Sequence, residues 1–464
     1  DSPTNRTVGS AVRYRAAVLT GKAIGAVSRW SGKGAGANFP GDIARKLDPG
    51  VLRRLATQFK SGTVLVTGTN GKTTTARLVA HLLEGIPARV VANRTGANLI
   101  YGATATVIRA AGPWGRLNAE WGVFEIDEAT LPRAVEEIAP QVVVVGNLFR
   151  DQLDRYGELE SLANNIQQAL IQLPKGARAV LNADDPRVAQ IGLELNSKPL
   201  WYGLDDPRVS VGDLPHAADA RSCPRCGGRL DFSAVYVGHD GNYRCPNGDF
   251  VRPELAVAAT DIELKGLDSI CLTAAGEPLQ IALGGLYNAY NLLAAFAVSQ
   301  ALGLNSATSA KRLAQINAAF GRQERFERDG RRFNLMLAKN PTGFNEILRT
   351  AHLQAEGHYY LIALNDRLAD GRDVSWIWDV DFEVLAEGAS VVIPSGERAY
   401  DLAIRLKYGG IQAEPPLVDL SQALDKLIEV LPKGAEAHLL CTYTAMLELR
   451  GKLVQRGWVQ PYWS

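Results

Sequence analysis

Gly68, Gly71, Lys72 and Thr73, in the run VTGTNGKTTTARL (residues 66–78), have the types and spacing that bind a polyphosphate. Two glycines let the backbone curl until its amides face phosphate oxygens. A lysine then reaches the β- and γ-phosphates, and the hydroxyl that follows it ligates Mg²⁺. Thr69, Asn70 and Thr74 complete the loop as ATP-binding candidates. The first glycine of the general pattern is replaced by Val66.

A second group is Cys223 and Cys226, spaced C-x₂-C, with Cys245 after eighteen residues. Two such pairs would make a zinc ribbon, but Gly248 stands where the fourth cysteine belongs. Asp249 or His239 could complete a structural Zn²⁺ site. The alternative is a ribbon that holds no metal and is kept by packing. Cys271 and Cys441 stand alone in apolar surroundings and read as core residues. The third group is the run LNDRLADGRDVSWIWD (364–379), with Asn365, Asp366, Asp370, Asp373 and Asp379 among two tryptophans and two arginines. Such acids can cap turns and helices, Asp373 for a helix starting at Val374, or serve chemistry.

These groups sit in a chain of 464 residues, 21% charged and of net charge +1. That length suits two or three domains, and nothing in the composition signals disorder, collagen or nucleic-acid binding. No apolar run of ~18 residues marks a membrane span, and the start lacks a signal-peptide pattern. An odd cysteine count favours a reducing cytoplasmic setting. Charge is uneven: residues 1–60 carry eleven Lys and Arg against three Asp. AVLTGKAIGAVSRW (17–30) predicts an amphipathic helix. A basic leader of this kind suits peripheral contact with the anionic inner membrane face, or is only a solvated helix face.

The elements that must position these residues are strands alternating with helices. GTVLVT (62–67), VVVVGN (142–147) and ARAVLNADD (177–185) read as buried strands, which predicts an α/β fold with a parallel sheet. LYNAYNLLAAFAVSQALGL is helical. GRQERFE (321–327) reads as a hinge into a last α/β unit with strands YYLIAL (359–364) and ASVVIP (389–394). The organisation expected is a basic segment, 1–55, a central ATP-binding domain, 56–320, interrupted by a ribbon-like insertion, 221–252, and a Rossmann-like C-terminal domain, 321–464.

The loop resembles the ATP-binding loop of the Mur ligases and folylpolyglutamate synthetases, and other motifs follow in that family's order. FEIDE (124–128) matches the segment bearing its Mg²⁺-binding glutamate, here Glu125. NLFRDQLDRYGE (147–158) is similar to its Asn…Asp-His-Leu-Asp segment. NADD (182–185) and YNAYN (287–291) resemble nucleotide-contacting segments, with Asn288 and Asn291 as the matching amides. GRQE brings Arg322 to the place of the hinge arginine. The departures are specific. Gln152 stands for the family's His, LANNIQQ (162–168) lacks the lysine that most Mur ligases carbamylate, and MLAKNP (336–341) has Lys339 in a His position. The usual N-terminal UDP-binding domain does not precede the loop. With LAKNPTGFNE and the acidic run, this pattern is similar, nearly end to end, to the MurT family, the ligase-like subunits of lipid II isoglutaminyl synthase.

The resemblance implies a Mur-ligase-like fold with a ribbon insertion, and ATP, Mg²⁺ and Zn²⁺ as cofactors. It implies amidation of the D-glutamate α-carboxylate of the lipid II stem peptide through an acyl phosphate. A glutaminase needs a Cys nucleophile with a His base, and no such pattern is visible here. The ammonia then comes from a GatD-like glutamine amidotransferase partner, and Asp373 is the candidate to orient that partner's catalytic His. Two readings stay open: an amino-acid ligase acting without a glutaminase, and an ATP-binding scaffold.

Overall fold

The computed structural model describes residues 3–30, 38–85, 88–93, 97–150, 158–215, 218–316, 323–352 and 357–460. Nine strands form the larger sheet: β1 (Gly62–Thr67), β2 (Val90–Ala92), β3 (Trp121–Glu125), β4 (Val142–Val145), β5 (Arg178–Asn182), β6 (Leu200–Leu204), and, after a separate hairpin of β7 (Asp231–Val237) and β8 (Asp240–Arg244), β9 (Val257–Lys265), β10 (Ser269–Ala274) and β11 (Glu277–Ile281). Their spatial order is β11-β10-β9-β6-β5-β4-β1-β3-β2. Pairing is parallel from β2 across to β9 and antiparallel through β10 and β11. β1 lies inside the parallel part, between β4 and β3, and the loop that follows it opens at the carboxyl edge of these strands.

The valine-rich strands are continuous apolar runs because helices cover both faces. Val64, Val66, Val142 and Val144 face a core shared with helices Lys72–Glu84 and Leu286–Ala301. Their neighbours Leu65, Val143 and Val145 face the other side, toward helices Ile100–Ala110 and Leu131–Ile138. Each such side chain, fully buried, contributes about 1.5–3 kcal/mol. The N-terminal helix Pro3–Trp30 lays Tyr14, Ala17, Val18 and Gly21 against this second core, the stripe its sequence predicts. Arg45 anchors the next helix, Phe39–Leu47, through a buried ion pair to Glu137 at 2.6 Å.

The second sheet contains β12 (Gln323–Arg328), β13 (Arg331–Leu337), β14 (His358–Ala363), β15 (Ala389–Ser395) and β16 (Glu436–Cys441) in the order β12-β13-β16-β14-β15. It is parallel except at β12. β14 and β15 are the two strands expected there. Cys441 lies wholly inside this unit, whereas Cys271, on β10, is only half-buried; it is a sheet residue rather than a core one.

His438 lies between β13 and β14, with Nε2 3.4 Å from His358 Nδ1 and Nδ1 3.2 Å from Asn334 Nδ2. Burial, with His358 beside it, holds the imidazole down from 6.5 to about 3. Below its ordinary value the unfolded chain takes up a proton here that the folded chain refuses, so this stability is present above about 6.5 and lost as pH falls toward 3. The melting temperature of the second sheet is expected to fall across that window. His438→Gln should show a shallower fall by calorimetry, and equal slopes would contradict the assignment.

Candidate active site

β1 ends at Thr67 and the helix begins at Lys72. Between them Gly68 (φ +125°) and Gly71 (φ +83°) take conformations closed to most side chains. A Cβ on Gly71 would sit 2.1 Å from Asn291 Oδ1, and one on Gly68 2.9 Å from the Asn147 amide. The glycines serve both the turn and the close approach of its neighbours.

Lys72 is 9% exposed. Its ammonium donates to the Gly68 carbonyl, to the Thr69 carbonyl at 3.3 Å and to Glu128 Oε1 at 2.8 Å. Thr73 Oγ1 donates to Glu125 Oε2 at 2.8 Å. Hydroxyl and carboxylate, from the helix start and from the end of β3, thus share one point where a hard cation would take oxygen ligands. Thr69 is tied to Phe149, its hydroxyl donating to that carbonyl and accepting that amide, both at 3.0 Å. Asn70 is fixed by Asn147 Oδ1, which accepts its amide at 2.8 Å.

Opposite the loop, Thr75 Oγ1 donates to Asn291 Oδ1 at 3.1 Å, Asn291 Nδ2 to Asn288 Oδ1 at 2.9 Å, and Asn288 Nδ2 to the Gly284 carbonyl at 2.7 Å. The third wall comes from the second unit. Asn340 Nδ2 donates to Asn70 Oδ1 at 3.0 Å, across 270 residues of chain. Together these walls enclose a cleft of about 110 Å³ that Thr74, Tyr287, Lys339 and Glu346 also line. Burial pushes Glu346 up to about 7, against the pull of Arg349 at 2.6 Å. Asn70, Gly71, Thr73, Thr74, Asn288 and Asn291 therefore line one space, and Glu125 and Lys72 lie behind them, bonded respectively to Thr73 and to the Gly68 and Thr69 carbonyls. Arg322 and Gln152 lie outside the described residues. Asp184 and Asp185 of NADD face inward: both are fully buried and bonded to Tyr290, Arg252 and the amides of Leu204 and Leu148. They brace the cleft floor and offer nothing to a nucleotide directly.

In the insertion, the thiols of Cys223, Cys226 and Cys245 lie within 4.8 Å of one another, Cys226 and Cys245 at 3.4 Å. The Gly228 amide, with Asn247 and Cys245, lowers the Cys226 thiol below its usual range, while burial raises Cys245. Three converging sulfurs fit part of a tetrahedral zinc set. Among the described residues no Asp, Glu or His supplies a fourth ligand atom within that distance of all three. Asp249 is exposed, and His239 belongs elsewhere, buried against Asp185 and Asp240. Six residues before Cys245 in sequence, it stands in the turn of the hairpin, at the end away from the thiols.

Comparison with known proteins now decides the family. The family model for the Mur ligase middle domain matches residues 66–223, and that for the MurT ligase C-terminal domain matches 337–446. The chain is 35% identical over 425 residues to the lipid II isoglutaminyl synthase (glutamine-hydrolyzing) subunit MurT of Staphylococcus aureus (strain N315), covering 90% of this chain and 93% of that one. It is 33% identical to the same subunit of Streptococcus pneumoniae (strain ATCC BAA-255 / R6), over 91% and 93%. The chain belongs to the MurT family. Its fold is that of a pseudomurein peptide ligase type C from Methanothermus fervidus (TM-score 0.65, 21% identity, 87% and 80% of the two chains) and of MurF from Acinetobacter baumannii (0.65, 16%, 89% and 80%).

In this MurT-family chain the acidic run forms a loop after β14. Asp370 is buried and accepts from the Thr444 amide at 2.8 Å and from its hydroxyl. Asn365 bonds Thr444 Oγ1 at 3.1 Å, and Asp366 lies 3.7 Å from Arg398. Asp373 is half-buried, its Oδ1 accepting from the Ser375 amide at 2.8 Å and hydroxyl at 2.6 Å. The helical turn it precedes, Ser375–Asp379, starts one residue later than expected. The two tryptophans differ: Trp376 is 1% exposed and Trp378 51%.

Four cleft residues of this chain had no sequence signal of their own: Glu128, Asn147, Asn340 and Glu346. Each lies within a motif that was read, yet its partner is identifiable only in space. The Thr73–Glu125 pair makes a specific expectation. Glu125→Gln keeps shape but removes the anionic charge, so turnover of ATP should fall about 100-fold or more and require more Mg²⁺, with the melting temperature nearly unchanged. A normal Mg²⁺ requirement in a steady-state titration would remove Glu125 from this role.

Proposed function

We propose that this chain is the ATP-dependent ligase subunit of a lipid II isoglutaminyl synthase, amidating the D-glutamate α-carboxylate of the stem peptide with ammonia from a partner glutaminase. The observation that carries the reading is the match to MurT subunits over nine-tenths of the chain, joined to a cleft whose loop, Lys72, Thr73 and Glu125 have the form a triphosphate needs.

In this mechanism a substrate carboxylate oxygen attacks the γ-phosphorus of ATP and ADP leaves, giving an acyl phosphate. Ammonia then attacks the acyl carbon, inorganic phosphate leaves, and a proton is lost to give the amide. Lys72 offsets charge on the transferring phosphoryl oxygens. Mg²⁺, when bound by Thr73 and Glu125, supplies further positive charge there. Asn288 and Asn291 bind the nucleotide, with Arg322 as the hinge contact. Lys339 and Glu346, on the facing wall, border the space left for the acyl group. A structural Zn²⁺ on Cys223, Cys226 and Cys245 holds the ribbon.

Support for a separate glutaminase comes from the cysteines. Cys441 is wholly buried and its thiol pushed far above the usual range by that burial, which makes it inert at neutral pH; three of the others form the ribbon cluster. The partner docks on the second unit. Tyr400, Ile404 and Tyr408 stand exposed along one face of helix Ala399–Tyr408, and Trp378, 5.5 Å from the Tyr408 ring, joins them to the loop bearing Asp373. Exposed aromatic stripes of this kind suit an interface core. Asp373 orients the partner's catalytic histidine.

Lys72→Ala should abolish amidation by the complex while leaving glutamine hydrolysis, whereas Asp373→Asn should collapse glutamine hydrolysis with the complex intact on a sizing column. Full hydrolysis by the Asp373→Asn complex would remove Asp373 from the triad, and amidation retained by Lys72→Ala would favour the scaffold reading. Coupling of an amino acid by the chain alone would favour the glutaminase-free ligase.

The membrane face follows from the first helix. Its outer side carries exposed Val12, Leu19 and Val27 beside Arg13 and Arg15, an arrangement suited to anionic lipid. Replacing the three apolar residues by Ser, which spares the inward stripe, should weaken binding to phosphatidylglycerol vesicles; unchanged binding at low salt would exclude this contact.

A further inference from the structure

Beneath the cleft, and apart from both the Thr73–Glu125 pair and the thiol cluster, lies a buried group that the ligase chemistry leaves unused. Asp185, His239 and Asp240 are each 0% exposed at the side chain, and one ligand atom of each lies within 4.8 Å of the other two. His239 Nε2 is 3.4 Å from Asp185 Oδ2 and 4.0 Å from Asp240 Oδ1. Neither ring nitrogen of His239 makes a hydrogen bond, and Asp240 Oδ1 has none either. Phe149 closes the site, its ring 4.6 Å from the imidazole.

Charge makes the same point. Asp184, Asp185 and Asp240 bring three fully buried carboxylates together, and Arg252, 3.0 Å from Asp184, is one guanidinium. A buried carboxylate without a counter-charge is too costly to remain ionised. The Asp185 and Asp240 carboxylates are also held in place by other bonds. Asp185 Oδ1 accepts the Arg187 and Val188 amides at 2.8 and 3.1 Å, Asp185 Oδ2 the Leu148 amide at 2.7 Å, and Asp240 Oδ2 accepts Asn182 Nδ2 at 3.1 Å. Supporting bonds of this kind orient metal ligands.

We propose that Asp185, His239 and Asp240 bind a divalent cation of the borderline class that accepts imidazole together with carboxylates, Zn²⁺ being the representative. Bonds of roughly 2.0–2.2 Å from Nε2, Asp185 Oδ2 and Asp240 Oδ1 would draw together atoms that already lie within 4.8 Å of one another. The cation occupies the orphaned lone pairs and neutralises the excess carboxylate. Its place in the fold gives it a consequence. His239 lies in the turn of the β7–β8 hairpin, Asp185 caps helix Pro186–Leu193 behind β5, and Asp240 lines the cleft. The ion therefore clamps the insertion to the floor of the cleft.

The full chain, freed of metal and re-equilibrated with Zn²⁺, is passed through a desalting column and its zinc counted by elemental analysis. The wild type is expected to retain one equivalent more than Asp240→Asn and His239→Gln, while Glu125→Gln matches the wild type and all melt cooperatively. Equal counts in wild type and variants overturn the site. Should either variant fail to fold, zinc-edge X-ray absorption on the wild type decides. A zinc population with only nitrogen and oxygen neighbours supports the proposal, and zinc bound only with sulfur overturns it.

Discussion

A buried ammonium must have an anion, and the candidate active site is organised around that requirement at Lys72. At 9% exposure its charge is largely out of water, where an unpaired ion costs several kcal/mol. Glu128 at 2.8 Å meets the need, with the Gly68 and Thr69 carbonyls filling the other donor positions. A phosphate entering the loop brings a second anion to the same cation, so binding competes with an ion pair already made. That arrangement keeps the loop formed before any nucleotide arrives. On the proposed function, Glu128 would then act on the strength of phosphate binding without touching phosphate.

The same loop is where the two sheets meet. Asn70 is held from one side by Asn147, after β4, and from the other by Asn340, after β13. Neutral amides suit this place because each both donates and accepts, and neither adds charge beside Lys72. The cleft is then a property of both units together. Its phosphate wall belongs to the larger sheet, and Lys339 and Glu346 to the smaller. A change in the angle between sheets would alter the Asn70–Asn340 bond before it altered either core.

Much of this was legible in the chain itself. The valine runs announced β1, β4 and β5, since only a strand covered on both faces is apolar at every position. The loop was readable because backbone curvature, lysine and hydroxyl are contiguous in sequence, whereas Glu125, 52 residues beyond Thr73, was found only through the family resemblance. Glu128 was not, although it stands three residues from Glu125, because its role is set by a helix that approaches from elsewhere. His239 was misplaced for a related reason: distance along a hairpin says little about which side of the sheet end a turn residue enters. In the acidic run, the division of labour among Asp366, Asp370 and Asp373 depends on Thr444 and Arg398, far off in sequence. The tryptophans there looked equivalent as residue types, yet packing on Phe344 buries Trp376 while Trp378 lies against Tyr408 at the surface.

The insertion between β6 and β9 looks, in sequence, like an appendage, and its packing argues otherwise. Val237 and Asp240, at the turn of its hairpin, line the cleft. Arg349 of the second unit donates to the Tyr236 carbonyl at 3.0 Å. Gly238 passes so close to Phe149 and Thr342 that a Cβ there would lie 2.8–2.9 Å from their side chains. The hairpin thus touches both units at the point where they face each other. Its other end carries the three cysteines, and between the two ends Tyr243 stacks on Phe250 at 5.5 Å and donates to the Ala183 carbonyl at 2.9 Å. A two-stranded hairpin is marginal by itself, so both ends need fixing. A metal on the three thiols would do so at the outer end, and the proposed cation on Asp185, His239 and Asp240 would do so at the inner one. The hairpin turn is thus a wall of the cleft, held between the loop-bearing unit and the second one.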